Sequence, residues 1–125
     1  MSDSRMFQEV FDRLDAVIPD GWDKLVFYAE YDGPSYSMEY YVKTGKTYIK
    51  CFDISGLSRS DLLGAFSAID KVISAERKSL SDSDLWSSLT MVVHSNGKVK
   101  VDFGYEDLTE AAYAHKKAWK KKYLV

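Results

Sequence analysis

The chain has 125 residues, 46% of them hydrophobic and 29% charged, which suffices for one domain with a core and is typical of a soluble globule. Its formal net charge is −2, and its single cysteine cannot form an intramolecular disulfide. No apolar run approaches the ~20 residues of a membrane-spanning helix, and the N-terminus lacks the features of a signal peptide, so we expect a single cytoplasmic domain over residues 1–125 without membrane contact.

The first predicted elements are a helix and a strand. Apolar residues recur at helical spacing from Met6 to Ile18, Ser4 is placed to cap this helix, and Pro19-Asp20-Gly21 ends it. From Lys24 to Asp32 the side chains alternate, which predicts a strand with one face on the core and one in solvent. The core-facing set is Leu25, Phe27, Ala29 and Tyr31, and the solvated set is Val26, Tyr28, Glu30 and Asp32.

Two further strands follow at short spacing. Residues Tyr36 to Lys43 and Thr47 to Phe52 have strand character, and the turns before them are Gly33-Pro34-Ser35 and Thr44-Gly45-Lys46. Because such connections are too short for crossovers, we expect an antiparallel meander.

A second helix is predicted after Gly56, where Ser58 and Asp61 have the spacing of a capping box. Its apolar stripe consists of Leu62, Leu63, Phe66, Ile69, Val72 and Ile73. The polar, serine-rich segment 79–84 that follows is predicted to be a loop.

The hairpin that follows is the best specified part of the chain. Alternation predicts strands from Leu89 to His94 and from Val99 to Tyr105, joined by Asn96-Gly97 as a turn whose central residues both take positive φ. The residues assigned to the core are Leu89, Met91, Val93, Val99, Val101, Phe103 and Tyr105.

A last helix, capped by Thr109, extends through Tyr123. The predicted order is therefore helix, three strands, helix, two strands, helix. This order indicates an α+β fold, an antiparallel sheet of about five strands with helices packed on one face.

Charge is distributed unevenly along the chain. Residues 116–122 contain five of the 17 basic residues and no acidic residue, so the first 115 residues carry all 19 acidic residues and a net charge of −7. An acidic body repels nucleic acid and attracts basic partners, although it also serves plain solubility.

Few residues are placed for chemistry. His94 and His115 have no cysteine or acidic cluster at metal-ligand spacing, and Cys51 has no histidine nearby in the sequence. We therefore expect no catalytic residue, no cofactor and no metal. A small enzyme using Glu30 and Glu39 as an acid/base pair is an alternative, and it predicts a concave pocket around both carboxylates.

The lysine-rich end suggests a second alternative, nucleic-acid binding. The lysines are few, terminal and attached to an acidic body. Trp119 and Tyr123 are four residues apart, a spacing that fits packing of a helix better than stacking on bases. We therefore expect no direct contact with nucleic acid.

A set of short segments follows one order along nearly the whole chain. The segments are Ile18-Pro19, Trp22-Asp23-Lys24, Tyr28-Ala29-Glu30, Tyr36 to Tyr41, Trp86, Leu89-Thr90, Ser95 to Lys98, Phe103 to Leu108, and a last helix with Trp119 and Lys122-Tyr123-Leu124. In this combination the chain resembles the YezG-like immunity proteins, a family of bacterial antitoxins. It departs from that family in the Ser/Asp-rich linker at Ser79 to Asp84 and in Ala111-Ala112.

The resemblance implies a protein that binds and neutralises a toxin partner. Such toxins look like large secreted LXG-type proteins whose C-terminal domain is often a nuclease. The family offers no catalytic residues to carry over, and Glu30, Tyr105, Glu106 and Asp107 match its recurrent positions.

An acidic, tyrosine-rich sheet face could enter the basic groove of a nuclease and exclude its substrate. We expect the contact face to consist of Tyr28, Glu30, Glu39, Tyr41 and Asp102. A non-immunity adaptor that uses the same face is the remaining alternative. The oligomeric state, monomer or homodimer, stays open.

Overall fold

The computed structural model describes residues 2–32, 35–105 and 112–124, and it describes no side chain for residues 2–4, 112 and 113. The capping side chain of Ser4, the Gly33-Pro34 turn, the 106–108 step and the capping residue Thr109 lie outside the described residues.

The described elements confirm the α+β class and the order of elements. In chain order they are α1 (Ser2–Asp15), β1 (Lys24–Asp32), β2 (Ser35–Thr44), β3 (Thr47–Lys50), a 3-10 turn (Cys51–Asp53), α2 (Arg59–Lys78), β4 (Ser88–His94), β5 (Val99–Gly104) and α3 (Ala112–Tyr123). None of the described helices combines the length and apolar character that crossing a bilayer requires.

The chain divides into two compact units. The helical unit comprises Met1–Asp20 and Cys51–Leu85, and the sheet unit comprises Gly21–Lys50 and Trp86–Val125. The expectation of one domain over residues 1–125 stays a prediction.

In the helical unit, α1 and α2 pack against each other. The Ser58 side chain accepts a 3.0 Å hydrogen bond from the backbone N–H of Asp61, which satisfies one of the free donors at the start of α2. The stripe of α2 is buried at Leu62, Phe66, Ile69 and Ile73, whereas Leu63 is 47% exposed. The prediction that Leu63 belongs to the apolar stripe is therefore wrong.

The sheet unit contains five antiparallel strands in the order β3-β2-β1-β4-β5. The third strand is shorter than predicted, because the chain leaves the sheet after Lys50 and forms a 3-10 turn at Cys51–Asp53. The β2–β3 turn is tight as predicted, since Thr44 pairs with Thr47 and Gly45 has a φ of 65°. Glycine at the first central position suits such a two-residue turn.

The central strand β1 is buried on both of its faces. Leu25, Phe27 and Ala29 are fully buried, but so are Val26 and Tyr28. The expected solvated face is therefore wrong for the middle of β1. Helix α3 covers this face of the strand. Its Trp119 forms a cluster with Val26, Tyr28, Tyr41 and Val92.

The hairpin of β4 and β5 departs from its prediction in two ways. The turn has three residues, with the Gly97 N–H donating to the His94 carbonyl at 2.9 Å, and of its residues only Gly97 takes positive φ. Val99 and Tyr105 are 55% and 61% exposed instead of buried. Val99 begins an edge strand beside the turn, and Tyr105 follows the last residue of β5.

Gly104 provides a test of the close contact between β4 and β5. A Cβ atom added there would lie 2.3 Å from the Ser88 hydroxyl oxygen. We expect Gly104→Ala to lower the free energy of unfolding by ~1 kcal/mol, the low end of the cost of overpacking, because the Ser88 hydroxyl ends a side chain that can shift. The double variant Ser88→Ala/Gly104→Ala should recover most of this loss in urea denaturation. A double variant as unstable as Gly104→Ala would contradict the contact as the cause.

Candidate partner-binding surface

Side chains of the strands form the face on which α3 lies, called the α3 face below. The register places Tyr28 between Glu39 of β2 and Thr90 of β4, and Thr90 beside Asp102 of β5. The neighbouring rows are Tyr41, Val26, Val92 and Lys100 on one side, and Ser37, Glu30, Ser88 and Gly104 on the other. All five residues expected to bind a partner thus belong to this one face.

Trp119 anchors α3 to that face. Its ring centroid lies 4.9 Å from that of Tyr28 and 5.8 Å from that of Tyr41, and the side chain is almost fully buried. The indole N–H donates a 2.9 Å hydrogen bond to the Thr90 hydroxyl. Burial of so large a ring stabilises the packing, and the hydrogen bond satisfies its one polar atom.

Lys116 fills the acidic part of the α3 face, one turn before Trp119. Its ammonium forms an ion pair with Glu39, which also pairs with Lys50 at 3.3 Å. The same nitrogen lies 4.0 Å from the ring centroid of Tyr28 and 4.7 Å from that of Trp119. Carboxylates and the faces of aromatic rings both attract a cation. The cation that they hold here is Lys116 of the same chain.

The pKa of Lys116 reflects this position. Burial lowers the pKa from its ordinary 10.5 to about 8, against the opposing attraction of Glu30 and with a smaller contribution from Lys120. Removal from water thus disfavours the charged form more than the nearby Glu30 carboxylate favours it.

Hydrogen bonds between neighbours fix both glutamates. The Tyr28 hydroxyl donates to Glu30 at 2.9 Å, and the Tyr41 hydroxyl donates to Glu39 at 2.8 Å. His115 Nε2 lies 3.1 Å from the Tyr28 hydroxyl. Because that hydroxyl gives its only proton to Glu30, the ring nitrogen of His115 is the donor in this contact.

The C-terminal end of α3 is held by Asp102 and Lys24. The Tyr123 hydroxyl donates to the Asp102 carboxylate at 2.5 Å. Burial first, and then this hydrogen bond, raise the pKa of Tyr123 to about 12. The Lys24 ammonium donates to the Tyr123 carbonyl at 3.1 Å, which satisfies an acceptor that the helix end leaves free.

The five expected contact residues therefore differ in their access to a partner. Tyr28, Glu39 and Tyr41 are at most 9% exposed, whereas Glu30 and Asp102 are half-buried. The first three, together with Asp102, hold α3 in place. Direct contact of the five with a partner stays a prediction, and for the buried three it would require α3 to move.

Sequence reasoning missed the four α3 residues that complete this face: His115, Lys116, Trp119 and Tyr123. The spacing of Lys116, Trp119 and Tyr123 was the available signal, since positions three and four apart share one side of a helix. That spacing indicated packing but gave no surface on which the helix would pack.

Charge changes sign along the strands of the sheet unit. At one end, called the acidic end below, are Glu30 and exposed Asp32, whose register partners in β2 are Ser37 and Ser35. The opposite end, called the basic end, carries Lys24, Lys43, Lys46 and Lys98 together with Lys120, Lys121 and Lys122 of the last turn of α3. Asp23 also lies at the basic end, where its carboxylate accepts the Gly45 N–H at 2.8 Å.

A groove of about 350 Å³ opens between α3 and strands β4 and β5. It is lined by Ser88, Thr90, Asp102, Phe103, Gly104, His115, Ala118, Trp119, Lys122 and Tyr123. Ser88 and Gly104 stand in the same row of the α3 face as Glu30. The groove thus begins beside the acidic end and also reaches Lys122, which belongs to the basic end.

The glutamates singled out for acid/base chemistry are engaged in internal contacts. Glu39 pairs with two lysines and Glu30 accepts a tyrosine hydroxyl. Within the described ranges, no group of three or more His, Cys, Asp or Glu residues could hold a metal ion. What the described arrangement offers is surface of defined charge and shape, which suits binding of another protein.

Comparison with known proteins identifies the family of this chain. The model of a family described as "Immunity protein YezG-like" matches residues 4–125, nearly the whole chain. The chain therefore belongs to the YezG-like immunity protein family, which confirms the resemblance and supports a general antitoxin role with a protein partner. The comparison with curated protein sequences finds no match.

The contribution of Trp119 to stability can be measured. Trp119→Ala should lower the free energy of unfolding by ~3–5 kcal/mol, as expected for loss of a buried large aromatic side chain. In a double-mutant cycle, Trp119→Phe and Thr90→Val should show a coupling of about 1 kcal/mol, because either change breaks the same hydrogen bond. Strictly additive losses in chemical denaturation would mean that this hydrogen bond adds nothing.

The lowered pKa of Lys116 predicts a pH dependence of stability. Between about pH 8 and pH 10.5 the unfolded chain keeps this proton while the folded protein has released it. Stability contributed by this group therefore rises with pH in that range. We expect the unfolding free energy of the native protein to increase over that range relative to Lys116→Met. If the difference falls instead, the attraction of the two glutamates outweighs burial.

Proposed function

We propose that this protein is a cytoplasmic immunity protein that neutralises a cognate secreted toxin by binding it directly and blocking its active surface. We further propose that the toxin is of the LXG type and that the domain bound is its C-terminal nuclease. The observation that carries the proposal is the match of the YezG-like family model to residues 4–125.

The physical chemistry of the chain supports a role in binding. A nuclease requires a basic groove for phosphate, and the first 115 residues carry a net charge of −7. Opposite charge accelerates encounter with such a groove, and buried aromatic anchors slow release. The proposal requires no reaction catalysed by this chain and no contact of this chain with nucleic acid or membrane.

The five expected contact residues take two roles in this proposal. Glu30 and Asp102 reach the surface and contact the toxin. Tyr28, Glu39 and Tyr41 shape that surface from below by holding α3 through its aromatic and lysine contacts.

Co-expression with the C-terminal domain of a neighbouring toxin gene tests the function. We expect cells carrying both genes to grow and cells carrying the toxin domain alone to die. A purified complex with an inactivated toxin domain should elute as one species in size-exclusion chromatography. The destabilised variant Trp119→Ala should protect less, because α3 loses its anchor.

Two outcomes would contradict the proposal for that toxin. Death of the co-expressing cells together with separate elution would show that the two proteins are not partners. Co-elution without protection would indicate an adaptor rather than an immunity protein.

A further inference from the structure

We propose that the acidic end of the sheet unit is the part of this protein that enters the toxin, and that its counterpart is the phosphate-binding groove of the nuclease. This inference rests on the proposed function and adds the orientation of the complex: the basic end faces away from the toxin.

Charge is separated along the strands of the sheet unit. Glu30 and Asp32 stand at the acidic end beside serines, while four lysines of the strands and turns and three of α3 gather at the basic end. A basic groove attracts the first end and repels the second, so the electrostatic field orients the protein before contact. In the middle of the α3 face, Lys116 and Lys50 already pair with Glu39.

Two exposed tyrosines lie near the acidic end. Tyr36 is 41% exposed and Tyr105 is 61% exposed. Tyr36 pairs with Tyr31 at the end of the β1–β2 hairpin, on the sheet face opposite Glu30. Tyr105 directly follows Gly104, and Gly104 stands in the row of Glu30. Tyrosines of this kind supply large contact area at a low cost in conformational entropy and are enriched in interfaces.

Among the described residues, aromatic rings and small side chains surround the acidic end. Beneath it the rings of Tyr31, Trp86 and Phe103 pack at centroid distances of 5.8 and 5.3 Å. Around Glu30 the side chains are small, and the groove beside α3 begins at Ser88 and Gly104. This recess offers a shape that a side chain of the partner can complement.

Charge-neutral variants at the two ends test the proposal. Glu30→Gln/Asp32→Asn removes two charges from the acidic end and keeps the side-chain shape and one acceptor oxygen of each residue. Lys46→Gln/Lys98→Gln is the matched control, because both lysines are exposed in turns at the basic end. Tyr36→Ala and Tyr105→Ala test the aromatic contacts. Each variant is checked by thermal unfolding, and its Kd for the inactivated toxin domain is measured at two salt concentrations.

We expect the acidic-end variant to raise Kd at least ~10-fold and to reduce the dependence of Kd on salt. Each tyrosine variant should raise Kd by a similar factor, while the basic-end variant should change Kd less than about twofold. A loss of affinity confined to the basic-end variant would overturn the inference, because the toxin surface would then be acidic.

Unchanged affinity in all variants would also overturn the inference while leaving the proposed function intact, since the native protein would still bind by another surface. If the native protein neither binds nor protects, the proposed function fails for that toxin and the inference falls with it.

Discussion

Packing of α3 on the strands through Trp119 is the interaction on which the sheet unit depends. It buries one face of β1, β2 and β4 that the alternation of their side chains would otherwise leave in water. A buried indole needs a partner for its N–H, and a partly buried ammonium is stabilised by a counter-charge. Thr90 meets the first requirement and Glu39 the second. The polar residues of this face thus supply the partners that Trp119 and Lys116 need once α3 covers it.

This packing also decides which charges remain available at the surface. Glu39 is neutralised by Lys116 and Lys50, and Asp102 accepts from Tyr123. The acidic character that reaches solvent on this face therefore shifts toward Glu30 and Asp32 at one end of the strands. Lys120, Lys121 and Lys122 of α3 lie at the other end. An acidic sequence has in this way become a surface with two ends of opposite sign.

Local patterns determined the elements but not their coverage. The alternation from Lys24 to Asp32 placed β1 correctly along its whole length, and Ser58 was identified as the cap of α2. Alternation reports two distinct faces of a strand, and it does not report what lies against each face. Tyrosine is common both on exposed faces and on buried ones, so the identity of Tyr28 and Tyr41 did not predict their burial. Exposure at Val99 and Tyr105 was missed because edge position depends on the order of strands.

The sequence by itself determined the family and the α+β order of the elements, because these depend on residue identity and on patterns at short range. The tertiary structure alone decided that α3 covers the tyrosine-rich face, that Lys116 is enclosed between carboxylate and aromatic rings, and that charge separates along the strands. These features join residues 28, 39, 90 and 116, which are far apart in the chain. Contacts over such separations arise from the packing of whole elements, which no local pattern specifies.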